Sequence, residues 1–130
     1  MPGPSAFTFG MIEITELPGN RAVCVRQQGV QSAAKFGALS NALTQSASQR
    51  RWRILFDWAE LEGWDDRRAF NLSCRKWSLS ADTIVRASIL HRSRWNCQAA
   101  LLAAAFRVRG VQVRSWPLHH REEALRWLLS

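Results

Sequence analysis

The chain has 130 residues, 47% hydrophobic and 22% charged, which is material for one globular core and not for two. Its formal net charge of +8 comes from 18 basic and 10 acidic residues, and among the basic ones only Lys35 and Lys76 are lysines. The opening lacks the pattern of a secretory signal, no apolar stretch nears the roughly 20 residues of a membrane span, and Cys24, Cys74 and Cys97 lie too far apart for a disulfide framework or a CxxC pair. One domain over residues 1–130, a cytoplasmic location and reduced, mostly buried thiols are the expectation.

Along the chain, Phe7 to Leu17 alternates as a strand does, Leu17-Pro18-Gly19-Asn20 is turn chemistry, and Arg21 to Arg26 reads as the second strand of an antiparallel hairpin. After Gly29, Ala33, Phe36, Leu39 and Leu43 recur at helical spacing, with Ser32 as N-cap and an end near Ser48. Trp52 to Trp58 is a nearly continuous apolar run, as a strand covered on both faces requires. Ala59 to Trp64 reads as a loop, and Asp65 and Asp66 stand where a helix N-terminus favours caps and negative charge. Phe70, Cys74 and Trp77 mark the apolar face of that second helix.

Thr83 to Leu90 reads as a third covered strand, followed by a helix capped by Ser93 and bearing Trp95, Ala99, Leu102 and Phe106. Gly110 follows Arg107 and Arg109 in a usual C-terminal pattern. Val111, Val113 and Ser115 alternate as a short last strand, Pro117 ends it, and Glu122 to Leu128 forms a closing amphipathic helix. The order ββαβαβαβα, with helices long enough for crossovers, predicts an α/β fold: a mixed five-stranded sheet, an N-terminal antiparallel hairpin plus parallel strands, with about four helices.

This order is accompanied by the words Ile54-Leu55-Phe56-Asp57, Leu61-Glu62-Gly63-Trp64, Val113-Arg114-Ser115-Trp116 and Glu122-Glu123-Ala124-Leu125-Arg126-Trp127-Leu128. Together they resemble the SpoIIAA-like family, whose STAS-like fold is also compared with that of the CRAL-TRIO lipid carriers. The resemblance spans nearly the whole chain and implies a non-catalytic binding or regulatory module. Two positions depart from the family pattern. Anti-anti-sigma proteins of STAS type are switched by phosphorylation of a Ser in an Asp-Ser-Ser-Gly-like word after the central strand, whereas Gly63-Trp64-Asp65-Asp66 offers no hydroxyl there. Its two carboxylates resemble a permanently charged state. The loop after the third strand, often acidic before a Trp in the family, reads His91-Arg92-Ser93-Arg94-Trp95.

No Gly-rich elbow or Cys/His/Asp set at catalytic spacing occurs, and neither GxGxxG nor GxxxxGK[ST] is present, so no catalytic residues and no cofactor are expected. His119 and His120 are adjacent, which on extended chain points them apart rather than at one metal, and no metal site is expected. Asp57 reads as an acceptor for loop amides rather than a general base.

Seven tryptophans without a tyrosine are the most unusual feature of the composition. Trp52, Trp77 and Trp127 suit core packing. Trp58, Trp64 and Trp95 fall at the carboxyl ends of strands, where an open α/β sheet collects its ligands. Arg92, Arg94 and the helix starts at Asp65 and Ser93 would join them, so that Trp58, Gly63, Trp64, Arg94 and Trp95 form the candidate ligand-binding set. An aromatic floor with a cationic rim suits a small amphipathic, lipid-like anion or a protein partner.

From Thr83 to Arg121 there is no acidic residue. Arginines scattered singly or in pairs read first as solvated faces, and nucleic-acid binding is the alternative function, ahead of a hydrolytic enzyme. Apolar surface at the sheet edge or on Ala99 to Phe106 would suit a homodimer.

Overall fold

The computed structural model describes residues 10–17, 22–46 and 51–130. Five strands, β1 (Ile12–Leu17), β2 (Ala22–Gln31), β3 (Trp52–Trp64), β4 (Ile84–Leu90) and β5 (Gln112–Trp116), form one sheet in the order β1-β2-β3-β4-β5. β1 runs antiparallel to β2, and β2 to β5 are all parallel. The helices are α1 (Ala33–Ser46), α2 (Arg67–Leu79), α3 (Asn96–Arg107) and α4 (Arg121–Leu129). This is the mixed α/β architecture that the chain order predicts. Phe7 to Phe9, the Pro18-Gly19-Asn20 turn and the end of α1 near Ser48 lie outside the described residues.

Strand order equal to chain order puts every crossover on the same side, since βαβ units share one hand. The buried side chains show this. One face of the sheet, with Val23, Val25, Ile54, Phe56, Trp58, Ala87, Ile89 and Val113, packs with α1, α2 and α3 in the main core. On the opposite face Leu55 and Leu90 pack with Ala124 and Leu128 of α4. The main core is aromatic at its centre. Phe36 lies 5.9 Å from Phe56, 6.3 Å from Phe70 and 5.4 Å from Trp77, centroid to centroid, within the range where aromatic pairs add to plain burial.

α1 and α2 cross closely. A Cβ on Gly37 would stand 2.8 Å from the Ser73 hydroxyl and 3.1 Å from the Ser73 Cα. The hydroxyl of Ser73 donates to the Ala33 carbonyl across the same contact.

The structure corrects the sequence reading at three places. β3 does not end at Trp58: the expected loop from Ala59 to Trp64 is its second half, paired with Gln28 to Gln31 of β2 across register shifts. β2 likewise runs on past Arg26 to Gln31. Ser93 does not cap α3, because a 3-10 turn (Ser93–Trp95) precedes that helix and neither turn nor helix has a side-chain cap.

Extending β2 and β3 buries amides that a loop would have left wet. Gln27 and Gln31 are buried, and their needs are met internally: Gln27 Nε2 donates to Gln31 Oε1 at 3.1 Å, Gln31 Nε2 to the carbonyls of Met11 and Gln28, and Trp58 Nε1 to Gln27 Oε1 at 2.7 Å. Because such a network is costly to leave half satisfied, Trp58→Phe is expected to destabilise the protein by about 1–3 kcal/mol. Urea unfolding of the two proteins checks this, with an unchanged slope and a lower midpoint as the expected result.

Candidate functional site

β4 stops at Leu90, whose partner on β3 is Asp57. Residues 59–64 of β3 therefore run on with β2 on one side and no strand on the other. The turn after β4 fills the gap. Arg92 Nε donates to the Ala59 carbonyl at 3.0 Å, Trp95 Nε1 donates to the Leu61 carbonyl at 3.2 Å, and the Ala59 N–H is taken by Asp57 Oδ1 at 3.0 Å. These side chains replace the missing neighbour, as an exposed strand edge requires.

Between this overhang and the N-terminal turns of α2 and α3 lies a cleft of about 760 Å³. Its apolar wall is Trp64, Phe70, Trp95 and Leu101, and its polar groups include Glu62, Arg67, Arg94, Cys97 and Gln98. Trp64, half-buried, packs on the aromatic cluster, 4.7 Å from Phe70 and 5.2 Å from Phe36. Its indole N–H is buried and meets no acceptor among the described residues. The Arg94 guanidinium lies 4.7 Å from the Trp95 ring centre, so the cation is held against an aromatic wall rather than left mobile.

Of the five candidate ligand-binding residues, Gly63, Trp64, Arg94 and Trp95 line this cleft. Trp58 does not reach it. It is 0% exposed, turned into the core with its N–H on Gln27, and it supports Trp64 from below at 5.6 Å. Gly63 is not required by sterics, since a Cβ there would meet only Val30 at 3.9 Å. Arg92 is spent on the strand edge.

Of the two helix starts expected to face a ligand, that of α2 is taken and that of α3 has no side-chain cap. Asp66 Oδ1 accepts from the backbone N–H groups of Arg68 and Ala69 at the head of α2, and Asp65 Oδ1 accepts from Ala33 N at the head of α1 at 2.9 Å. The two adjacent carboxylates thus cap two different helices. An anion in the cleft would meet the guanidinium groups of Arg67 and Arg94, and at the head of α2 it would find the first amides already bonded to Asp66.

Arg67, Cys97 and Leu101 were not singled out by the sequence reading. A signal exists for two of them: Arg94, Cys97, Gln98 and Leu101 follow the i, i+3, i+4, i+7 spacing of one helical face.

His119 and His120 are corrected as well. They lie in a 3-10 turn (Leu118–His120), and their rings are 4.3 Å apart instead of diverging. No group of three or more His, Cys, Asp or Glu able to hold a metal occurs among the described residues, and no described helix is long and apolar enough to cross a membrane. Ala99, Leu102, Ala103 and Phe106, the bulk of the expected dimer patch, face the core.

A family model described as SpoIIAA-like matches residues 22–129, and the chain belongs to that family. Among solved structures, an uncharacterised protein of Shewanella loihica PV-4 with a SpoIIAA-like fold is similar at a TM-score of 0.64 with 16% identity, over 92% of this chain and 94% of that one. The anti-sigma factor antagonist SpoIIAA in its unphosphorylated form is similar at a TM-score of 0.47, also with 16% identity, over 89% of this chain and 98% of that one. No curated protein matches the chain in sequence.

The thiols divide by environment. Burial pushes Cys74 up to about 12, and burial with the nearby Asp57 carboxylate pushes Cys24 up to about 11, from an ordinary value of 9.0; Cys97 is exposed on the cleft wall. In the folded protein one thiol per chain is expected to react quickly with Ellman's reagent at about pH 8, and Cys97→Ser should abolish that reaction. Because the two raised thiols stay protonated when folded, their contribution to stability is fully present below about pH 9 and is lost as pH rises from there toward 12. Urea midpoints at about pH 8 and about pH 10.5 read the sign.

Proposed function

We propose that the chain is a non-catalytic protein-binding module, and that its cleft takes a partner segment carrying an apolar side chain beside a carboxylate. The observation that carries this reading is the pairing of an aromatic wall, Trp64, Phe70 and Trp95, with two exposed guanidinium groups, Arg67 and Arg94. Neither arginine is in an ion pair among the described residues. An apolar anchor would bury against the indoles, and a carboxylate would gain a bidentate partner on the rim. Glu62, exposed beside them, would repel acidic segments that arrive in the wrong register.

Membership of the SpoIIAA-like family supports a binding role. Chemistry gives no rival. The cleft holds a thiol and the Glu62 carboxylate but no histidine among the described residues, and no hydrogen bond there marks Cys97 as a nucleophile activated by a base. A small lipid-like anion shares the same recognition chemistry, but such ligands are held in sites that bury 70–90% of their surface, whereas this cleft is open.

Cys97 supplies the test. Benzophenone-maleimide placed on Cys97 of the wild-type protein, photolysed in cytoplasmic extract, is expected to cross-link one partner at a segment rich in Asp or Glu with a large apolar residue. R67E/R94E should lower the affinity of that partner at least about tenfold, the value of one lost charge-assisted contact. Unchanged affinity in R67E/R94E would overturn the reading, as would a lipid-sized mass bound to the purified protein in native mass spectrometry.

A further inference from the structure

We propose that the outer edge of the sheet at β5, with the C-terminal ends of α3 and α4, binds single-stranded nucleic acid. The stretch from Thr83 to Arg121, which has no acidic residue, is gathered on one side of the molecule: β4 and β5 pair at the sheet margin, and α3 packs on β5. Arg107, Arg109 and Arg114 are exposed there, and none is ion-paired with a carboxylate among the described residues. Arg126 is exposed on α4 nearby in sequence to Trp127. Such a one-sign surface is self-repelling until an external polyanion neutralises it.

A second, independent observation lies at Trp127. The guanidinium carbons of Arg86 and Arg114 stand 5.2 Å and 5.1 Å from its ring centre, and the Trp116 ring lies 6.3 Å away. Arg86 is committed to structure through Gln112 Oε1 and the Trp127 carbonyl. Arg114 is not: its side chain makes no hydrogen bond among the described residues and lies over the Trp127 indole. Its donors are thus held in place and unspent.

Charge alone would suit an acidic protein equally. What favours a single strand is the combination of forked cations suited to phosphate with the exposed planar guanidinium of Arg114, laid against the Trp127 indole, on which a base can stack. The surface also lies on β5 and the far end of α3, where Arg107 stands about 9 Å along that helix from Leu101, the last α3 residue in the cleft, and it does not depend on the cleft reading.

Fluorescence anisotropy of the full chain with a fluorescein-labelled oligothymidylate of about 20 nucleotides, over about 50–200 mM salt, tests the proposal. Saturable binding is expected, with a log–log salt slope near −2 for about three phosphate contacts at about −0.7 each. R109Q/R114Q should weaken binding at least about tenfold and flatten the slope by more than one, and R67Q/R94Q should leave the slope unchanged. No saturable binding at the lowest salt, or a slope that R109Q/R114Q does not alter, would overturn it. Labelled polyglutamate binding as tightly as oligothymidylate would also overturn it, and would make this a surface for acidic protein.

Discussion

The pairing of β3 with β2 to the very end of both strands, and with β4 over only its first half, is the constraint from which the rest of the molecule follows. A parallel strand that outlasts one neighbour leaves backbone groups unpaired at the margin of the sheet, and these cannot stay buried and unmet. Arg92 and Trp95 meet them, which fixes the turn after β4 over the overhang. The turn in its place sets where α3 begins, and the end of the overhang delivers Asp65 and Asp66 to the heads of α1 and α2. The cleft is the space these commitments leave.

The two faces of the sheet are held by different physics. The face under α1, α2 and α3 is closed by aromatic burial. The opposite face carries Arg53, Arg86 and Asp57, residues that are expensive to cover, yet α4 covers it. The charges are met by the helix itself. Arg53 Nη1 donates to the Leu128 carbonyl at 2.6 Å and Arg86 Nη1 to the Trp127 carbonyl at 2.7 Å. These are last-turn carbonyls that a helix leaves without partners, and positive charge is favoured at that end. At the other end Arg121 Nη2 bonds the buried Asp57 Oδ2 at 2.7 Å. A nine-residue helix, too short to be stable alone, is thereby pinned at both ends. This also explains the preference for arginine over lysine, since a fork can serve a carbonyl and a second acceptor at once.

The architecture was legible because apolar runs of strand length alternate with helical spacing, and tertiary packing did not override either. The second half of β3 was missed for a physical reason. Its apolar run stops at Trp58 because only one side of the strand remains paired beyond it, and Glu60, Glu62 and Gly63 then read as loop. The alternation was nevertheless present: Leu61 is buried between exposed Glu60 and Glu62, the period of a half-covered strand. Ending the strand too early also moved Trp58 to its tip in the reading and to the cleft by inference, whereas it stands mid-strand under Trp64. Arg94 against Trp95 could not be read, because stacking between sequence neighbours depends on the 3-10 turn. Treating most arginines as solvated faces was too broad, since Arg53, Arg86, Arg92 and Arg121 each hold a backbone or buried acceptor.

α3 joins the two surfaces that carry function in these readings, with Cys97, Gln98 and Leu101 of its first turns in the cleft and Arg107 at its last turn on the basic edge. Its middle is locked: Ala99, Leu102, Ala103 and Phe106 are almost fully buried against the sheet and its neighbouring helix. A helix seated this way in a close-packed core has one arrangement rather than two, and coupling between distant sites needs an element with two. Occupancy at one end therefore has no packed route by which to alter affinity at the other. Under the two proposals, substitutions at the cleft and at the β5 edge should combine additively. Asp65 and Asp66 likewise spend their charge on holding α1 and α2 in place.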